Sequence, residues 1–272
     1  MALREVLHLN YLSEINMWSL YKLELRTVIK SPSMMMPLLF PVILSFFYST
    51  LLVTSNNPSG GIDAQLGFII LLSMGALSSG IMGFGFRFMN MKNSVLLRRI
   101  GASKITKSEV LGAIVLASIT VLFIQFTWDS IIWTFLSAIH FGNFNGNTID
   151  FSWAALNFKY LIPGISLLIL ASYSMGIFIV SIGKNTEQYQ AIAILYFSSS
   201  MFLSGLMIPT LAEHDVWTHY IGWFLSVSWA MDFMRHGIEG SGDVYSLWLD
   251  VLMIVFYTSL FSGLAVKFLE WD

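Results

Sequence analysis

Of the 272 residues, 56% are hydrophobic and only 11% are charged, whereas a soluble domain carries about 25% charged residues. Water is therefore excluded as the main solvent, and a net charge of -2 supplies no basic field for nucleic acid. With no cysteine there is no disulfide framework, no thiolate metal site and no cysteine nucleophile. Backbone amides in hydrocarbon must be satisfied within the chain, so spanning segments are helices or a closed barrel. Apolar runs of about 20 residues suit helices, since a membrane strand needs only about 10. The predicted class is an all-α membrane protein.

Residues 1–33 read as a cytoplasmic N-terminal segment and residues 34–272 as a six-helix transmembrane domain. The first 30 residues interleave Arg4, Glu5, Glu14, Lys22, Glu24, Arg26 and Lys30 with apolar positions, so they hold no signal-peptide core, and the first span serves as the insertion signal. Trp18, Tyr21, Leu25 and Val28 recur at helical spacing while Lys22, Arg26 and Lys30 form an adjoining stripe. This predicts a helix lying in the inner headgroup layer; an ordinary cytoplasmic helix leading into the first span is the alternative. Ser31-Pro32 breaks it, and Pro37 and Pro41 fall in the first turns of the span, where a missing amide donor is best tolerated.

Spans are predicted over residues 34–54, 64–86, 110–132, 161–182, 189–208 and 244–266, each near the length that a core of about 30 Å demands. Arg4, Lys22, Arg26, Lys30, Arg87, Lys92, Arg98, Arg99, Lys104, Lys107, Lys184 and Lys267 then share one side of the bilayer. Of the 14 basic residues only Lys159 and Arg235 fall on the other. The positive-inside rule puts both termini in the cytoplasm.

Residues 55–63 are too short a connection for a folded external domain. Residues 87–109 are basic, and Val95, Leu96 and Ile100 make one face of a short helix stopped by Gly101-Ala102-Ser103. Such a helix has one side toward the membrane and one free to meet another protein. Residues 133–160 read as an external turn region with a short half-buried helix. Residues 209–243 combine Trp217, Tyr220, Trp223, Trp229 and Met231 with Glu213, His214, Asp215, Asp232, Arg235 and Glu239. Their apolar run of about 15 residues is too short to span, which predicts an external re-entrant or interfacial hairpin before the last helix.

Catalytic chemistry finds no support. The nearest approach to a phosphate loop, Gly176 through Gly183-Lys184-Asn185, has the wrong spacing and lacks the hydroxyl that holds magnesium. His8, His140, His214, His219 and His236 show no zinc-ligand spacing. The His214 and His219 pair, with Glu213 and Asp215, reads as a solvated turn rather than a proton-sensitive cluster. Charges within or near the spans are few, Asp129 beside Trp128 and Asp250 near the start of the last span, and both are expected close to the outer boundary, within reach of water. Gly75, Ser79 and Gly83 repeat every four residues, as do Ser200 and Ser204, a spacing that lets helices approach closely or borders a translocation path.

Three segments carry a family resemblance. The run Leu20-Tyr21-Lys22-Leu23-Glu24-Leu25-Arg26 through Lys30-Ser31-Pro32, the basic stretch Leu96 through Glu109, and Ser204-Gly205-Leu206-Met207-Ile208-Pro209 followed by Trp217, Trp229 and Arg235 together resemble the permease subunits of ABC-2 type (type V) exporters. The chain departs from the family pattern at Met91, Lys92, Asn93 and Lys104, and at Ser226-Val227-Ser228, where an Asn-Pro pair is common. The resemblance implies a permease domain over residues 34–272, an interfacial helix bearing Trp18, Tyr21, Lys22, Leu25 and Arg26, and an ATPase-coupling helix bearing Val95, Leu96, Arg98, Arg99, Ile100 and Gly101. It also implies an external re-entrant region with Pro209, Trp217, Trp229 and Arg235. The implied partners are two separate ATPase subunits, which carry the ATP and Mg, and a second permease subunit, identical or related. The chain itself needs no cofactor. The expected cargo is a drug, an antimicrobial peptide or a lipid-like molecule, moved by alternating access out of a plasma membrane of bacterial type. A polysaccharide or glycolipid exporter and an ion-coupled secondary carrier are the alternatives.

Overall fold

The computed structural model describes residues 17–30, 43, 64–93, 107–139, 151–204, 217–238 and 245–268, and every regular element among them is helical. In chain order these are α1 (Met17–Lys30), α2 (Ala64–Ser78), a π-helical segment (Ser79–Gly85), α3 (Phe86–Lys92), α4 (Lys107–Ala138), a 3-10 turn (Trp153–Ala155), α5 (Phe158–Ile182), α6 (Thr186–Leu203), α7 (Trp217–Gly222), α8 (Ser226–Arg235) and α9 (Leu247–Phe268). Four stretches are long and apolar enough to cross a bilayer: Gln65–Lys92, Glu109–Ala138, Phe158–Ile182 and Leu247–Phe268. They match the second, third, fourth and sixth predicted spans. At the fifth stands α6, whose 18 residues reach about 27 Å; its predicted continuation to residue 208 lies outside the described residues. So does the first span, apart from Ile43, which is helical.

Side-chain contacts set the helix directions. Gly75 of α2 lies against Gln125 and Phe126 of α4 while Tyr173 reaches both Ser79 and Ser118, whereas Gly80 lies against Ser172 of α5 and Gly183 against Met89. Thus α4 runs antiparallel to α2, and α5 parallel to it. Near one end of α9, Asp250 meets His236, which packs on Tyr160 of α5. Farther along, Ser262 Oγ donates to Ser174 Oγ at 3.0 Å and Phe261 packs on Phe178. Helices α5 and α9 are therefore also parallel. Lys92, Lys184 and Lys267 consequently share one end of the bundle with the start of α4, a basic end opposed to an aromatic one.

Central to the packing is α5, which touches α2, the π-helical segment, α6, α8 and α9. Its start is capped by Asn157, whose side chain accepts from the Lys159 amide at 3.2 Å. At the start of α6 the Asn185 side chain accepts from the Gln188 amide at 2.8 Å while Gln188 Oε1 accepts from the Lys184 amide at 3.1 Å, satisfying amides that a helix start leaves open.

The second span crosses α5 at a glycine seam. A Cβ at Gly176 would sit 2.5 Å from the Gly80 carbonyl oxygen, and one at Gly80 would sit 2.7 Å from the Ser172 carbonyl carbon. Backbone meets backbone there, which only residues without a side chain permit. Gly80, Gly83 and Gly85 all fall in the π-helical segment, where their weak helix preference lets the wider turn form.

Candidate functional site

At the basic end, Val95, Leu96, Arg98, Arg99, Ile100 and Gly101 lie outside the described residues, but both ends of the segment that bears them are defined. On the α3 side, Asn93 Nδ2 donates to Thr186 Oγ1 at 3.3 Å, and Thr186 Oγ1 donates to Asn90 Oδ1 at 3.3 Å. Lys92 Nζ donates to the Val180 carbonyl at 3.5 Å. One turn farther into α6, the Tyr189 hydroxyl donates to the Ile81 carbonyl of the π-helical segment, while Arg87 Nε donates to the Gly83 carbonyl at 2.9 Å. Gly85 is required beneath Tyr189, because a Cβ there would run into the phenol. The end of the second span is thus locked to the start of α6. Tyr189→Phe is expected to lower stability by about 1 kcal/mol through loss of one buried hydrogen bond, and to speed amide exchange over residues 80–92, as read by thermal denaturation and hydrogen exchange.

Helix α1 packs along the basic half of α4. The Tyr21 hydroxyl and Thr120 Oγ1 are 3.1 Å apart, Leu25 packs on Val121, and the Met17 sulfur lies against Gly112. Trp18 stacks on Tyr21 at 4.8 Å, Lys22 Nζ lies over the Trp18 ring at 5.5 Å, and Trp18, Lys22 and Arg26 are exposed. Burial pushes the Glu24 carboxyl above its ordinary 4.5, while the charge of Arg87 pulls the other way. Folded Glu24 therefore holds its proton more tightly than the unfolded residue does. Its contribution to docking is full below pH 4.5 and is lost as pH rises through the raised value. Glu24→Gln is expected to slow α1 amide exchange at neutral pH and to flatten its pH dependence.

The small-residue positions separate. Gly75 packs on Gln125, and Ser79 Oγ lies 3.3 Å from the Tyr173 hydroxyl. Gly83 faces Arg87, because the π turn shifts the register and brings Gly80 into the tight crossing. Ser200 and Ser204 are buried in the wall of α6, with the Ser204 hydroxyl bonded to the Ser200 carbonyl. Gly80 and Tyr189 carry no signal of their own in the sequence, and Gly176 carries only that of a mis-spaced phosphate loop, since an unbroken i+4 register points to Gly83 and only the π turn shifts it.

Along α4 runs a buried polar stripe. Ser118, Gln125, Asp129 and Trp133 are spaced by seven, four and four residues, so they share one helix face, and none is more than 2% exposed. The expectation that water reaches Asp129 and Asp250 is corrected here: both are 0% exposed, because neighbouring helices cover the first turn of α9, and α4 runs on to Ala138, which places Asp129 inside the span rather than in its last turn. Among the described residues, both Asp129 oxygens, Gln125 Oε1 and Trp133 Nε1 lack hydrogen-bond partners. Periodicity carried the signal for this stripe, but the acidic residue was read from depth alone.

At the aromatic end, α7 and α8 stand between α6 and α9, each too short to span. Pro209 lies outside the described residues, and Trp217 begins α7. Trp229 is buried, and its Nε1 donates to the Trp223 carbonyl at 3.0 Å, which also accepts from the Tyr257 hydroxyl at 2.7 Å. Tyr245 completes the cluster, 4.5 Å from the Trp229 ring, and its amide donates to Asp232 Oδ2 at 2.7 Å. His236 Nε2 and Asp250 Oδ2 are 3.2 Å apart, joining α8 to α9, and Arg235 is buried beside them. Asp232, His236 and Asp250 bring one ligand atom each within 4.8 Å of one another, a grouping invisible in the sequence because Asp250 arrives from another helix. A cleft of ≈ 560 Å³ opens near this end, lined by Gln65, residues 154–158, Gly237 and Ile238.

No curated protein matches the sequence. The family model described as ABC-2 type transporter matches residues 16–238, which takes in α1, the described spans through α6, and the short helices of the aromatic end. Apolar helices, a basic end and a π-broken second span locked to α6 thus stand within that match. The chain belongs to the ABC-2 type transporter family and is a membrane permease component of an ABC transporter.

Proposed function

We propose that the chain is half of an ATP-driven exporter. Two ATPase subunits, which bind the ATP and Mg, sit beneath two permease subunits, this one and an identical or related copy. Both termini face the cytoplasm of a bacterial-type plasma membrane, and α7 with α8 forms the external re-entrant element. The segment around Val95 to Gly101 receives the ATPase stroke. The observation that carries this reading is the lock at the basic end, where Asn90 and Asn93 meet Thr186 and Tyr189 meets Ile81. A push on residues 94–106 is handed at once to the second span and to α6, and through the Gly80–Gly176 crossing to α5. Closure of the ATPase dimer then squeezes a hydrophobic or amphipathic cargo outward. The test is purification of the tagged chain in mild detergent. An ATP-binding subunit should co-purify, and the pair should hydrolyse ATP in lipid. Transport by the chain alone in proteoliposomes overturns the proposal in favour of an ion-coupled carrier.

A further inference from the structure

Toward the aromatic end α4 holds a carboxyl group that meets no countercharge among the described residues. Asp129 is 0% exposed, and among the described residues neither of its oxygens has a hydrogen-bond partner. One turn toward the basic end Gln125 Oε1 also lacks a partner, and one turn toward the aromatic end stands Trp133, fully buried with its indole Nε1 unbonded. A carboxyl buried in a span without a partner is costly to ionise, and its place there makes it a functional candidate. Acceptor oxygens without donors are the complement of a cationic group.

Above Asp129 the aromatic rings continue outward. Trp133 meets Phe151 edge-on at 6.2 Å, Phe151 meets Phe68 at 5.2 Å and Trp153 at 5.1 Å, and Phe68 meets Trp153 at 5.3 Å. Trp153 is 39% exposed and belongs to the 3-10 turn whose next residues, Ala154 and Ala155, line the outer cleft. Ring faces attract organic cations, more strongly where water is excluded. A buried carboxyl therefore lies at the foot of a ladder of aromatic rings that ends beside an open cleft.

We propose that the cargo is an amphipathic organic cation, that Asp129 recognises its charge, and that Trp133, Phe151, Phe68 and Trp153 conduct it toward the outer cleft. This rests on the permease reading and deepens it by naming the substrate class. A Cβ at Gly75 would sit 2.8 Å from Gln125 Nε2, so α2 and α4 are in contact beside Asp129 and must part for cargo to enter.

Tetraphenylphosphonium and tetraphenylborate, alike in shape and opposite in charge, provide the probes. The full chain in lipid nanodiscs should bind the cation saturably, as followed by tryptophan fluorescence, and bind the anion much more weakly. Asp129→Asn should weaken cation binding at least tenfold and leave the anion unaffected, and Asp129→Glu should keep most of the cation affinity. In the unsubstituted chain, the cation should protect Asp129 from modification by a hydrophobic carbodiimide, as read by mass spectrometry, so the idea stays testable even if the variants fail to fold. Equal binding of both ions, full cation affinity in Asp129→Asn, or absence of protection overturns it. Because binding needs no ATPase, such a failure leaves the permease reading intact, and co-purification tests that reading separately.

Discussion

Replacing Gly176 by leucine is expected to destabilise the bundle by about 3 kcal/mol or more, the upper end of what overpacking in a core produces. The new Cβ alone would stand 2.5 Å from the Gly80 carbonyl oxygen. That atom is backbone and cannot swing aside as the end of a long side chain does, so α5 and the π-helical segment must separate. The same seam carries motion from the second span to α5 in the proposed cycle, so transport should fall more steeply than stability. Gly263→Leu is the matched control, because a Cβ there meets nothing within 4 Å, and it should unfold like the unsubstituted chain. Thermal denaturation in detergent, with retention of the monodisperse peak, reads both variants. Equal midpoints for the two would show that the crossing is loose.

The second large effect concerns residues 94–106. Reversing both charges, Arg98→Glu with Arg99→Glu, should weaken association with the ATPase at least tenfold, about 1.4 kcal/mol. In the proposed assembly the ATPase surface that meets this basic loop presents acidic groups, and the reversed loop then faces like charges across the contact. Exposed pairs are screened by salt, so the defect should shrink as ionic strength rises from 0.05 to 0.5 M on the order of a shortened Debye length. Stability of the isolated permease should stay unchanged. Undiminished association and transport would mean that the ATPase grips elsewhere.

Four of the predicted spans could be located from hydropathy because burial in lipid constrains composition over the whole length of a helix. Ala64, Leu161 and Ile182 all fall within three residues of helix ends in the structure. The N-terminal helix was equally legible, since Trp18, Tyr21 and Leu25 keep a helical period, although the period alone did not reveal that Tyr21 reaches Thr120. The short helices Trp217–Gly222 and Ser226–Arg235 agree with an apolar run too short to cross.

Less of the candidate site could be read in this way. The π turn at Ser79–Gly85 is a backbone event in one short stretch, and it decides which glycine, Gly80 or Gly83, meets α5. Asp129 sits at a position that hydropathy assigns to the wet margin, yet neighbouring helices enclose it completely. Asp232, His236 and Asp250 converge only because α8 and α9 fold side by side.

Solvent, helical class and the basic side of this chain were thus set by local composition, because transfer into lipid acts on each segment separately. Which glycines touch, which tyrosine locks the second span to α6, and which carboxyl is enclosed with no countercharge among the described residues were settled by assembly. Those outcomes depend on helix rotation and register, and a change of one residue per turn there redirects every side chain along the face.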